Sequence, residues 1–387
     1  MLLFRFIISV IISLSSLKAA TEIPADFQED LYRRYFPVGG SGKSALEGFC
    51  EKYLLPTAAS DNAWEDFCAQ PRGVTSVEEP QQLIVSLTSY PARMGTTWLA
   101  TESLLRQDTK PTMVILNLFE GEFPGRKLPS TIEKQMARGL EIRWHAENLR
   151  VYLKVLPTIK SFNDALVVAV DDDIIYDRCV LTDLMAGYRK YPNCVIARDV
   201  REIKVRNGKV LPVPYWIFTE TEGSYHEIDP STNLVPEGLG GMLFPPHIFH
   251  KDLHKKEIFS QLCPTDDDVW YYTMAVANET KVVKIPTASG LKFIRGTQQL
   301  DTALWRTNSK DHFSILSQTF ERVFVAYNLG RFLNANQVSV NLNGEWEGFI
   351  LNALRIIKFI NYRGLEIFEM ASIGELLQAA YMFLSGN

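Results

Sequence analysis

Three aspartates, Asp171, Asp172 and Asp173, follow without a break the apolar run Ala165-Leu-Val-Val-Ala-Val170. Carboxylates crowded in this way repel one another unless a cation or a shared proton intervenes. Hard divalent ions such as Mg²⁺ or Mn²⁺ meet that need, because they take oxygen ligands and often bind through one or two carboxylates plus the phosphates of a substrate. A cation so held neutralises a diphosphate and stabilises it as a leaving group. If the strand pattern runs on through the triplet, Asp171 and Asp173 point to one side and Asp172 to the other. Turns and helix starts also collect aspartate, and Asp177 fits that simpler role. A second acidic group stands in Cys263-Pro-Thr-Asp-Asp-Asp-Val-Trp-Tyr-Tyr272. There the pattern predicts a helix with Thr265 as N-cap and aspartates in the first turn, where the helix dipole favours them.

The elements that must position these groups begin near residue 82. Leu83-Ile-Val-Ser-Leu87, Met113-Val-Ile-Leu-Asn-Leu118, Leu140-Glu-Ile-Arg-Trp144 and Leu166-Val-Val-Ala-Val170 read as strands. Helical spacing lies between them at 97–107, 130–138 and 150–161. Strands and helices alternating in this order predict an α/β fold, a Rossmann-like αβα sandwich with a mixed, mostly parallel sheet. In such sheets ligands sit beyond the carboxyl ends of the strands. Thr88 to Arg93, Glu120-Gly-Glu-Phe-Pro124 and Asp171 to Asp173 are therefore expected on one rim. Beyond Val195 the chain reads as short strands and irregular segments, with Lys281-Val-Val-Lys-Ile285 a late edge strand. Four regions follow: residues 1–20 as a signal peptide or anchor, 21–80 as an N-terminal extension, 81–296 as the α/β domain and 297–387 as a helical C-terminal region.

The order of motifs resembles that of GT-A fold glycosyltransferases, similar to glycosyltransferase family 2. It rests on Ser86-Leu-Thr-Ser-Tyr-Pro-Ala-Arg93, Asp171 to Asp173, Gly238-Leu-Gly-Gly241 followed by Leu243-Phe-Pro-Pro246, and Cys263 to Trp270, over roughly residues 82–285. The resemblance implies a metal-dependent transfer of a sugar from a UDP- or GDP-sugar to a hydroxyl of a glycan, lipid or protein, with inversion. It implies Mn²⁺ or Mg²⁺ held by Asp173 and Asp171, with Asp171 also near the nucleotide ribose, and Asp268, supported by Asp267, as the base that deprotonates the acceptor, the two roles being reversed if Thr265 and Asp268 form a capping-box-like pair. Gly240 and Gly241 would line the sugar pocket through a backbone without bulk. Arg93 and Lys154 are candidates for diphosphate contacts, and Tyr90 for stacking on the base, although an aromatic after a strand also fits the core. Trp270, Tyr271 and Tyr272 read as packing, with Trp270 an option for the border of the acceptor site.

Two other classes share part of the pattern. Phosphohydrolases of the haloacid dehalogenase type use Asp-x-Asp after an apolar strand, with Asp171 as nucleophile and Asp173 as acid, but they want Thr or Val where Ile175 stands. A non-catalytic, secreted calcium-binding domain lacks here its D-x-[DN]-x-[DN]-G loop. His247, His250 and His254 have helix-face spacing, but no carboxylate pattern completes a zinc site.

The 387 residues carry a formal net charge of −5, 46% hydrophobic and 11% aromatic residues, the balance of a globular chain without the basic excess of a nucleic-acid binder. Phe6-Ile-Ile-Ser-Val-Ile-Ile-Ser-Leu14 has secretory length and is short of the ~20 residues that span a bilayer. It predicts a secretory or membrane-associated protein, or a cytoplasmic one if it is an uncleaved anchor. The apolar positions over 349–384 are spread too widely for a clean stripe and favour core packing, with peripheral membrane docking the other option. Cys50 with Cys68 and Cys179 with Cys194 are open to pairing in an oxidising compartment, while buried free thiols are expected for most of the five cysteines.

Overall fold

The computed structural model describes residues 82–333, apart from 207–208, 214–215, 220–226, 287–292, 295–296 and 298–309. The leader, the N-terminal extension with Cys50 and Cys68, and the segment 349–384 lie outside the described residues.

The described chain opens with β1 (Leu83–Thr88), α1 (Met94–Leu105), β2 (Met113–Phe119), α2 (Ser130–Met136) and β3 (Leu140–His145). A 3₁₀ turn over Arg150–Lys154, α3 (Leu156–Ser161), β4 (Leu166–Ala169), α4 (Val180–Lys190) and β5 (Cys194–Ala197) follow. Short strands come next: β6 (Val200–Glu202), β7 (Val205–Arg206), β8 (Lys209–Val210), β9 (Ile217–Thr219), β10 (Ile228–Ser231), β11 (Leu234–Pro236) and β12 (Met242–Phe244). The described chain ends with α5 (Lys256–Leu262), α6 (Asp267–Ala277), β13 (Lys281–Lys284), α7 (Lys310–Tyr327) and a 3₁₀ turn at Leu329–Phe332.

Eight strands form the main sheet in the order β10-β13-β5-β12-β4-β1-β2-β3. All neighbours pair in parallel except β12, antiparallel to β4 and β5, and β10, antiparallel to β13. This is the αβα sandwich with a mixed, mostly parallel sheet that the alternation of elements predicts. The strands are rich in Val, Ile and Leu because both faces are covered. Val85, Leu87, Leu116 and Val168 face one apolar cluster with Trp98 and Leu99 of α1, Ile132 of α2 and Leu184 of α4. Val167, Ala169, Met242 and Phe244 face the other, with Leu156 of α3, Tyr271 of α6 and Phe320 of α7. In α4 the buried positions Val180, Leu181, Leu184 and Gly187 form one stripe. Its three fully buried aliphatic side chains contribute about 1.5–3 kcal/mol each. Gly187 brings that helix onto the sheet, since a Cβ there would lie 2.6 Å from side-chain atoms of both Ile196 and Ile285.

Four details depart from the sequence reading. The helix expected over 150–161 breaks at Val155, just before Pro157, into a 3₁₀ turn and a short helix. The Lys281 strand is not at the edge, because β10 covers its outer side. Cys179 and Cys194 are free thiols, not a pair. The three histidines sit in turns, His247 against Asp164 at 3.0 Å and His250 beside Asp252 at 3.6 Å, so they share no helix face. No described helix is long and apolar enough to cross a membrane.

Candidate active site

The parallel strands end together at Thr88, Phe119, His145, Ala169 and Ala197, and antiparallel β12 starts on that same rim. The rim therefore gathers the Tyr90–Arg93 turn after β1, the acidic triplet after β4 and the glycine turn before β12.

Strand β4 stops at Ala169, and Asp172 and Asp173 already belong to a turn. Alternation holds as far as Asp172 and fails at Asp173. Asp171 meets the Lys154 ammonium at 2.9 Å. Asp172 turns to the opposite side, where it accepts from Arg93 at 2.6 Å and from the Ser89 hydroxyl at 2.5 Å. Asp173 stays with it, 3.1 Å from the same Arg93 nitrogen, instead of returning beside Asp171. The reason is that a turn has no two-residue period, and the Asp173 carbonyl is held by the Ile294 N–H at 2.8 Å. Arg93 thus clamps two buried carboxylates from the start of α1, with Tyr90 lying 5.6 Å under its guanidinium.

The second acidic group lands opposite Asp171. Asp266, not Thr265, caps α6, accepting from the Val269 N–H at 3.1 Å. The cap leaves Asp267 and Asp268 in the first turn, reaching Lys154 at 3.0 and 3.7 Å. Lys154 is therefore the hub at which the two acidic motifs, distant in sequence, converge. Side-chain exposure separates the members: Lys154 8%, Asp267 9%, Asp268 24% and Asp171 29%. Burial pushes the Asp267 carboxyl up to about 8, with Lys154 opposing and Asp268 and Asp171 adding to the rise. Burial also raises Asp268, opposed by Lys154 and by the Gly238 N–H. The ammonium itself is held well above its ordinary value, since the three carboxylates outweigh the desolvation that would lower it.

The glycine turn closes over this hub. Gly238 donates its N–H to Asp268 Oδ2 at 2.8 Å, and a Cβ on it would stand 3.0 Å from both Asp268 Oδ1 and Lys154 Nζ. Gly241 has φ +91, a conformation that favours glycine. Gly240 packs against Asp199 and Arg198, where a Cβ would be 3.2 Å from Asp199. Glu237, immediately before the turn, is gripped by Arg201 of β6 through two nitrogens. Trp270, Tyr271 and Tyr272 are all fully buried.

Five carboxylates, Asp171, Asp172, Asp173, Asp267 and Asp268, surround two cations, Arg93 and Lys154, a formal excess of three negative charges. That excess suits a divalent cation. Among the described residues, however, no three His, Cys, Asp or Glu side chains converge as a metal site on their own. A cation here would need further oxygens, as Mg²⁺ and Mn²⁺ do when they bridge a carboxylate and a diphosphate.

The sequence reading missed the polar layer beneath Lys154. Ser86 of β1, Asn117 of β2 and Thr158 of α3 are buried together within hydrogen-bonding distance of one another. The signal was present: Ser86 and Asn117 are single polar residues inside otherwise aliphatic strands. Asp172, which pairs with Arg93, and Ser89, which donates to Asp172, were also given no role in the sequence reading.

No family model and no curated protein matches the sequence. Among solved structures the chain is similar to Staphylococcus aureus TarS 1-349, with 15% identity, TM-score 0.37, and coverage of 70% of this chain and 81% of that one. It is also similar to a mannosyltransferase from Pyrobaculum calidifontis in complex with GDP-Man and Mn²⁺, with 13% identity, TM-score 0.39, and coverage of 84% and 86%. A third similarity is to 4-diphosphocytidyl-2C-methyl-D-erythritol synthase from Anaerococcus prevotii, with 13% identity, TM-score 0.36, and coverage of 60% and 98%.

Proposed function

We propose that the chain is a GT-A type glycosyltransferase that moves a sugar from a UDP- or GDP-sugar to a hydroxyl acceptor, with inversion. The observation that carries this reading is the convergence on Lys154 of Asp171, past the end of β4, with Asp267 and Asp268 at the start of α6. A donor-side carboxylate and a candidate base then contact one and the same cation.

The roles follow from exposure and partners. Asp171, the most open of the triplet, is the candidate ligand for Mn²⁺ or Mg²⁺, whereas Asp173, expected as the second, is turned to the other side and paired with Arg93. Such a cation would supply charge neutralisation for the departing diphosphate. Arg93 is spoken for by Asp172 and Asp173, so it fixes the triplet and lends positive charge to the donor side. Lys154 does the same from the acceptor side and keeps the facing carboxylates from repelling one another. Asp268 is the better base of its pair: it is open enough to meet a hydroxyl, and the Gly238 N–H and Lys154 fix its orientation. Its raised proton affinity brings it nearer the range in which a general base works. Asp267, more deeply buried, supports it. Tyr90 flanks the donor side, and Gly240 and Gly241 border the sugar.

Titration calorimetry with UDP, GDP and CMP compounds, with and without Mn²⁺, tests the reading. Metal-dependent binding of a nucleoside diphosphate that Asp171→Asn weakens at least ten-fold is the expected outcome. Phosphate release from simple esters with no nucleotide preference would favour the hydrolase instead.

A further inference from the structure

Lys154 serves three carboxylates at once, so small displacements of its backbone would change all three contacts. The polar layer beneath it fixes that backbone. Strand alternation puts Ser86 with Ile84, and Asn117 with Ile115, on the face turned away from the α1 cluster. There they meet the chain at Lys154 and Thr158. The Lys154 carbonyl can only accept, so the Ser86 hydroxyl, 2.5 Å away, spends its one proton on it. The Ser86 oxygen must then receive, from the Thr158 hydroxyl at 2.7 Å and from Asn117 Nδ2 at 3.1 Å. Asn117 Nδ2 also lies 3.2 Å from Thr158 Oγ1. This orients the amide and leaves its Oδ1 facing His145 Nε2 at 2.8 Å. His145 must donate that bond, so its neutral form is the Nε2–H tautomer, an assignment made from the network. Every direction in the chain of bonds is thereby determined.

An all-aliphatic layer would fill the same space without the need to pair every polar group. We propose that Asn117, Ser86 and Thr158, with His145 closing the outer end, are positioning residues that hold the Lys154 backbone so that its ammonium stays between Asp171 and the Asp267–Asp268 pair. The functional weight of this device rests on the transferase reading, but its physical content does not.

Competitive acetylation with acetic anhydride, read by mass spectrometry, reports how often the Lys154 ammonium leaves its pocket, with exposed Lys251 as internal reference. In the wild type Lys154 is expected to be strongly protected. Asn117→Ala is expected to raise its reactivity relative to Lys251 roughly ten-fold, the factor that corresponds to about 1.4 kcal/mol. Thr158→Val is expected to do the same and Thr158→Ser, which keeps the hydroxyl, to retain protection; this pair decides the matter if Asn117→Ala does not fold. Thr101→Ala, which removes a 2.6 Å bond to Gln135 in a separate buried network, is expected to lower Tm without exposing Lys154. Unchanged protection in Asn117→Ala and Thr158→Val, or equal exposure in Thr101→Ala, overturns the proposal. If no nucleoside diphosphate binds the wild type in calorimetry, the transferase reading falls while the labelling result still stands on its own.

Discussion

Replacing Lys154 by methionine removes the cation and keeps most of the side-chain volume. The lost ammonium lies 2.9 Å from Asp171, 3.0 Å from Asp267 and 3.7 Å from Asp268. Deleting one partner of a buried ion pair costs about 3–5 kcal/mol. Asp171 and Asp268 are 29% and 24% exposed, so water screens part of this, and the lower end is expected. A loss of about 3 kcal/mol lowers Tm by roughly 6–12 °C in a domain of about 150–250 residues. The loss depends on pH in a defined direction. Asp267 is raised by burial to about 8, so between its unfolded value near 4 and that point the folded state holds the proton more tightly. Its contribution to stability is complete below about pH 4 and is lost as pH rises toward 8. Without Lys154, which opposes the rise, Asp267 and Asp268 climb further, so the loss continues to higher pH than in the wild type. Calorimetric Tm values at pH 5, 6.5, 8 and 9 and constant salt should therefore show a gap between wild type and Lys154→Met that is smallest at pH 5 and still widening above pH 8. A gap that stays constant, or one that widens toward acid, refutes the charge balance described for the site.

Asp171→Asn and Asp172→Asn, neighbours in sequence, should separate. Denaturant unfolding should find Asp172→Asn less stable by about 1–3 kcal/mol, because Arg93 and Ser89 lose a charged partner, whereas Asp171→Asn chiefly loses metal-dependent nucleotide affinity in calorimetry. Gly238→Ala should cost about 1–3 kcal/mol in urea unfolding, since its methyl group must displace Asp268 or Lys154. Glu102→Gln leaves Arg106 and Arg138, both 2.7 Å away, with a neutral partner in a buried setting. It should lower stability by about 3–5 kcal/mol while nucleotide affinity, measured below the unfolding range, stays at the wild-type value.

The main strands could be read from sequence because each is an aliphatic run that both faces of a parallel sheet require. Their order could not be read completely, since the insertion of β12 between β4 and β5 depends on a long-range antiparallel pairing with no local signal. The candidate site was legible as two acidic motifs and a glycine turn. It was not legible that Lys154 joins them, because a lysine in an amphipathic segment looks like any solvated lysine until the 3₁₀ turn before Pro157 buries it. The triplet was misjudged at Asp173 for a related reason: alternation is a property of a strand, and the strand had already ended. Ser86 and Asn117 carried a visible anomaly in their strands, but only the approach of Thr158 and the Lys154 carbonyl gives that anomaly a purpose.

The late arrival of β12 also shapes how the protein must be made. Until the ribosome has released residues 242–244, the first four strands have β4 as a bare edge, with unpaired backbone groups and aliphatic side chains above and below. Such an edge is a template for pairing with any neighbouring chain. Nascent or proteolysed fragments that end before Met242 are thus expected to self-associate, and the acidic pocket is completed only after the sheet is sealed, when α6 brings Asp267 and Asp268 to Lys154.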